Sequence, residues 1–98
     1  MGRLTISTHV LDTEQGLPAA GVRVELFGAD GRIAGEGLTD ADGRIRELAH
    51  GPAGVYRIVF HPPSPFFRRV ELELSLDDRH HHVPLLISSY ACASYRGS

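Results

Sequence analysis

Three consecutive histidines, His80, His81 and His82, stand just before an apolar run in a chain of 98 residues that holds six histidines in all. Side chains alternate across an extended strand, so His80 and His82 project to one face and His81 to the other. Two imidazoles on one face can titrate near neutrality, exchange hydrogen bonds or bind a metal. A solvated strand entrance accounts for them equally, and a lone His-x-His pair lacks the further ligands of a zinc site. His9 lies on the face opposite Leu4, Ile6 and Thr8, in a polar row with Thr5 and Ser7. That row faces water, a partner or a cavity, and an ordinary surface histidine fits the same pattern. Arg44 and Arg46 follow the Asp42-Gly43 pair and share one face of the next short strand, as exposed arginines after a turn commonly do. The segment Asp40-Ala-Asp-Gly43 looks like the start of a calcium loop, yet the later ligands and the closing glutamate are missing, so it is read as a turn. Cys92, the one cysteine, reads as a small strand residue rather than a nucleophile. The chain has no serine-nucleophile motif, phosphate-cradling glycine loop or Cys-x-x-Cys pair.

The elements that must carry these residues are strands. Period-two alternation runs through residues 4–10, 22–27, 32–38, 55–60, 70–76 and 83–87. Asp30-Gly31 and Asp42-Gly43 suit tight hairpin turns, and Gly51-Pro52 and Pro62-Pro63-Ser64-Pro65 mark further breaks. No segment carries a helical stripe. Val70, Leu72, Leu74 and Leu76 alternate with Arg69, Glu71, Glu73 and Ser75, which predicts a sheet with one wet face. Short strands with turn signals every 8 to 15 residues predict an all-β sandwich, with room for about seven or eight strands.

Length and charge narrow the function classes. One domain over residues 1–98 is the expectation, and so small a core leaves no space for a deep pocket within one subunit, which places a small-molecule site at a surface or between subunits. With 10 Lys and Arg against 12 Asp and Glu, and a net charge of -2, no basic face tracks a phosphate backbone, so nucleic acid is not an expected partner. The apolar runs are a few residues long, far below the ~20 of a membrane-spanning helix. Met-Gly-Arg leads directly into strand alternation, so no targeting segment is expected, and with a single cysteine the expected compartment is the cytoplasm.

Motifs near the two ends carry a more specific message. Ser7-Thr-His-Val-Leu-Asp-Thr13, with Gly16-Leu-Pro-Ala19, resembles the opening signature of the 5-hydroxyisourate hydrolases of the transthyretin-like family. His82-Val-Pro-Leu-Leu86 and the closing Tyr95-Arg-Gly-Ser98 resemble the family's last motifs, and Thr39-Asp-Ala-Asp-Gly-Arg44 its middle one. The middle pattern also resembles β-sandwich modules attached to carboxypeptidases and surface proteins. Those modules do not combine a first-strand histidine with a closing Tyr-Arg-Gly-Ser, and the hormone carrier of the same fold lacks that tetrapeptide and the matching histidines.

The resemblance implies a transthyretin/prealbumin-like β-sandwich of seven to eight strands. It implies hydrolysis of 5-hydroxyisourate to 2-oxo-4-hydroxy-4-carboxy-5-ureidoimidazoline in urate degradation, with no cofactor and no metal. It further implies a homotetramer with active sites at the contact between dimers. By motif position, His9, Arg44 and His82 are the catalytic residues, and Tyr95, Arg96, Gly97 and Ser98 bind substrate, while Arg46 and His81 match no catalytic position. The alternative is a non-catalytic transthyretin-like binding or structural module. Two departures stand out: Tyr90-Ala-Cys-Ala-Ser94 has smaller side chains than the family's usual last strand, and the connection 60–69 is short, so the brief helix of most relatives is expected to be reduced or absent.

Overall fold

The computed structural model describes residues 3–97, which form nine strands and, among the described residues, no helix. Seven are six residues or longer: β1 (Leu4–Asp12), β3 (Arg23–Gly28), β4 (Ile33–Leu38), β5 (Arg44–Gly51), β6 (Gly54–His61), β7 (Val70–Leu76) and β8 (His80–Ile87). Two are short, β2 (Leu17–Pro18) and β9 (Cys92–Ser94). They make two sheets. In the first, β8 lies along one edge of β1 and β9 continues beyond it, while β5 and β2 pair with the other edge of β1; the second has the order β4-β3-β6-β7. All pairs are antiparallel except β1 with β8, which are parallel and in unbroken register from Thr5↔His80 to Asp12↔Ile87.

The core lies between the sheets. Leu4, Ile6 and Val10 of β1 and Val83, Leu85 and Ile87 of β8 meet Val24, Leu26, Ile58, Phe60 and Leu76 of the second sheet. Alternation then turns Thr5, Ser7 and His9 to the outer face of the first sheet, together with His80 and His82. On β7 the expected split holds: Glu71, Glu73 and Ser75 are exposed while Leu72, Leu74 and Leu76 turn inward. The outer face of the second sheet carries surface ion pairs such as Arg57–Glu71 and Arg23–Glu36, which contribute little at such exposure.

The turns differ in kind. Asp30-Gly31 closes a true hairpin between β3 and β4, with Gly31 at φ 80° and its neighbour Asp30 accepting the Arg32 amide. Asp42-Gly43 was expected to do the same, but β4 and β5 belong to different sheets, so this turn is a corner that carries the chain from one layer to the other. Asp40 builds it by accepting the amides of Asp42 and Arg44 on one carboxylate oxygen. Gly43 has φ 74°, and a Cβ there would overlap the Val10 carbonyl oxygen and press on Pro18 at 3.0 Å. Gly43→Ala is therefore expected to lower stability by about 2 kcal/mol or more, read from the urea or thermal midpoint. Gly31→Ala, with open space around its Cβ, should cost about 1 kcal/mol. Equal midpoints for the two variants would refute the corner's role.

The connection from β6 to β7 is as short as expected and contains no helix. Ser64 organises it, its hydroxyl oxygen accepting the Phe66 and Phe67 amides while its O–H donates to the Ser89 carbonyl at 2.8 Å.

Candidate functional site

The three histidines are the first residues of β8 rather than a lead-in to it. Each therefore has a fixed direction. His81 turns inward, 5% exposed, where its Nε2–H donates to the Asp77 main-chain oxygen at 3.0 Å beside the Asp77 carboxylate. It is a structural residue. His80 and His82 turn outward beside Thr5 and Ser7, their register partners on β1. The Thr5 hydroxyl is 2.6 Å from His80 Nδ1, and the Ser7 hydroxyl lies between His80 Nε2 at 3.0 Å and His82 Nδ1 at 2.8 Å.

His9 and Arg44 are direct partners across β1 and β5, which brings the arginine to the same outer face. The His9 ring centroid is 6.5 Å from that of His82. Between Ile6 and Thr8 the pairing shifts, so that residues 46–48 of β5 stand opposite Ser7 alone. This bulge lets Leu48 and Ala49 both be buried while Arg44 and Arg46 stay outside. A recess of about 200 Å³ results, with Ser7, Arg44, Arg46, His80 and His82 among its walls. Among the described residues no carboxylate pairs with Arg44, and no three His, Cys, Asp or Glu side chains converge to hold a metal ion.

The surroundings decide the charge of His82. Burial disfavours its imidazolium, and the nearby His9, Arg44 and His80 oppose a further positive charge, so its pKa lies below the ordinary 6.5. At neutral pH His82 is an uncharged imidazole beside a permanent cation. That combination suits removing a proton from water and stabilising the anion that follows.

The terminal motif divides. Pro84 has no N–H to give the β9 side of β8, so the ladder stops there and Ser94 donates its hydroxyl to the Pro84 carbonyl at 2.8 Å instead. The chain then returns, and the Gly97 amide donates to the His82 carbonyl at 2.8 Å. A Cβ on Gly97 would sit 2.7 Å from His82 Cδ2 and 2.9 Å from the His82 carbonyl oxygen, so only glycine fits against this histidine. Tyr95 and Arg96 line, together with His81 and His82, a larger cavity of about 790 Å³ that opens between the sheets beside β7. Leu72, Leu74, Leu76 and Val83 form its apolar wall. Ser98 falls outside the described residues. Cys92 is exposed at the start of β9.

Sequence reasoning thus named His9, Arg44, His82 and Gly97, and the fold gathers these four around β8. Tyr95 and Arg96 meet His82 on the larger cavity, apart from His9 and Arg44. The bridging role of Ser7 escaped it; the spacing of Thr5, Ser7 and His9 against His80 and His82 was the available signal, but only the parallel register joins the two rows.

Known proteins resemble this arrangement along the whole chain. A 5-hydroxyisourate hydrolase of Pseudomonas aeruginosa is 38% identical, the match covering 100% of this chain and 93% of that protein. The structure of Klebsiella pneumoniae 5-hydroxyisourate hydrolase superposes with a TM-score of 0.86 at 34% identity, over 96% of this chain and 98% of that one. Sea bream transthyretin, solved in complex with thyroxine, superposes at 0.83 with 28% identity, over 94% and 93%. With the family's model matching residues 6–97, the chain belongs to the HIUase/transthyretin family.

Proposed function

We propose that this protein is a 5-hydroxyisourate hydrolase, opening the six-membered ring of its substrate to give 2-oxo-4-hydroxy-4-carboxy-5-ureidoimidazoline. The observation that supports this most is the convergence of a neutral His82, its neighbour His9 and the Arg44 guanidinium on one recessed face. Ring opening at an acyl carbon needs a water that is held and partly deprotonated. His82 and His9 bracket that water and move its proton, while Arg44, a planar fork of donors, holds the charge that develops on the carbonyl oxygen and ring. Gly97 fits the chain's end against His82, and Tyr95, Arg96 and Ser98 contact the substrate.

The recess of about 200 Å³ is smaller than the ~300–1,000 Å³ of ordinary ligand pockets. A second copy of the chain laid over this face would enclose it, and this supports a homotetramer with sites at the contact between dimers. Tyr95 and Arg96 then reach substrate from that assembled edge. Among the described residues no helix is long and apolar enough to cross a membrane; the proposed compartment is the cytoplasm.

The test is the decay of 5-hydroxyisourate, generated from urate by urate oxidase and followed by ultraviolet absorbance, with and without the untagged protein. Acceleration is expected; its absence with folded protein would leave a binding module of the same fold. Arg44→Lys should lose about tenfold or more, because a point charge cannot reproduce the two-pronged contact. Arg46→Lys, at the rim of the same recess, should stay within about threefold of the parent. Equal losses in the two variants would count against a specific role for Arg44.

A further inference from the structure

We infer that Ser7 and His80 form a proton bridge that takes over the charge His82 would otherwise hold. The inference rests on the reading of His82 as the group that removes a proton from water. A serine hydroxyl has one hydrogen, and a neutral imidazole has one N–H and one bare nitrogen. Ser7 sits between two ring nitrogens, His80 Nε2 and His82 Nδ1, so it must donate to one and accept from the other. When Thr5 accepts from His80 Nδ1–H, the bare nitrogen of His80 is Nε2. Ser7 then donates to His80 and accepts from His82 Nδ1–H, and the bare nitrogen of His82 is Nε2, facing away from Ser7 and free to act as a base.

The proton balance follows. Water gives a proton to His82 Nε2, His82 Nδ1 passes its proton to the Ser7 oxygen, and Ser7 passes its own to His80 Nε2. Ser7 ends as it began, His82 is neutral with its hydrogen on Nε2, and His80 is the imidazolium, donating to both Thr5 and Ser7. The positive charge has left a partly buried ring that faces His9 on β1, Arg44 on β5 and His80 on β8 for one that shares the recess with Arg44 and Arg46 of β5 but is exposed to water, which screens them. Reversal returns the proton to the departing ring nitrogen of the substrate through His82 Nε2. Ser7, 8% exposed, is shielded from competing water, which keeps the bridge single-file. Ser7 and His80 are thus positioning residues that act through His82.

The bridge has a signature in the pH profile. In the parent protein a proton added to the bridged unit reverses its hydrogen bonds, leaving His82 with its hydrogen on Nε2 and no base to offer. The acid limb of kcat/KM therefore reports the His80–Ser7–His82 unit. Cutting the bridge leaves His82 to titrate alone, at its own lowered pKa.

The experiment compares kcat/KM profiles from pH 5 to 8 for the parent, Ser7→Ala, Ser7→Thr, His80→Gln and His82→Asn, each checked for fold by circular dichroism. Ser7→Ala and His80→Gln are expected to lose about tenfold on the plateau; Ser7→Ala moves the acid limb to lower pH, His80→Gln moves it less because it also removes one charge that lowers His82, and Ser7→Thr, which keeps the hydroxyl, restores both. Parent-like plateau and acid limb in both Ser7→Ala and His80→Gln, with His82→Asn inactive, would overturn the bridge and leave His82 as base. Full activity in His82→Asn would remove the base itself. Should one bridge variant fail to fold, the other carries the same decision, since exposed His80 and small Ser7 make independent demands on packing.

Discussion

His82→Asn is expected to lower turnover of 5-hydroxyisourate about a hundredfold or more while leaving the fold intact. An asparagine amide can approach Ser7 from the place of His82 Nδ1, so the hydrogen bond at 2.8 Å has a substitute. Nothing in the amide takes up a proton where Nε2 stood. His9→Asn, 6.5 Å away by ring centroids, should fall by a similar factor if the two rings share the water. Near-normal turnover in both variants would sink the assignment. A stability measurement supplies an independent check. The folded-state pKa of His82 is depressed below 6.5, first by burial and then by His9, Arg44 and His80. The unfolded chain thus binds this proton more readily, so the contribution of a neutral His82 to stability is complete above pH 6.5 and is lost as pH falls through 6.5 towards the folded value. In His82→Asn that part of the acid sensitivity should disappear, and urea midpoints should depend less on pH across that window.

Gly97→Ala is expected to abolish most activity, about tenfold or more, with little change in thermal midpoint. The two readouts separate because of where the residue lies. Its amide closes a single bridge to the His82 carbonyl at the very end of the described chain, outside the core, so its loss leaves the sheets as they are. Its Cα rests directly on the His82 side chain, and an added Cβ would meet Cδ2 at 2.7 Å, the carbonyl oxygen at 2.9 Å and Cβ at 3.1 Å. The last two atoms belong to or adjoin the backbone of β8 and cannot yield, so either the terminal segment lifts away or the imidazole turns out of line. Both disturb the acid–base group, and misplacement by about 1 Å can cost a hundredfold in rate. A variant with parental kcat/KM would show that the contact at Gly97 is incidental.

Much of the sandwich was legible because its strands keep strict alternation, as 70–76 does from end to end. Where alternation fails, a strand was expected but the burial of its residues could not be read. β5 begins as Arg44-Ile45-Arg46 and then buries Leu48 and Ala49 in succession, because the bulge opposite Ser7 inserts residues that no periodic pattern anticipates. β9, built on Cys92-Ala-Ser94, has no apolar stripe; the resemblance placed a last strand there, and it pairs with residues 85–87. The corner at Gly43 was read as a hairpin since its local chemistry is that of any tight turn; which sheet the next strand joins depends on contacts far along the chain. The site divides in the same way. The opposite directions of His81 and its two neighbours follow from spacing alone, whereas the meeting of Ser7 with His80 and His82 depends on a pairing partner more than seventy positions distant.

That distance shapes how the molecule comes into being. Thr5 meets His80 and Ser7 meets His82 at a separation of 75 positions, and every strand of the second sheet lies between β1 and β8 in the chain. During synthesis β1 must wait, one edge unpaired, until β8 has left the ribosome. Loop closure over such spans is slow, and exposed apolar edges invite association with other nascent chains. A product halted before residue 80 has no half-formed catalyst, so activity and completion of the sheet arrive together.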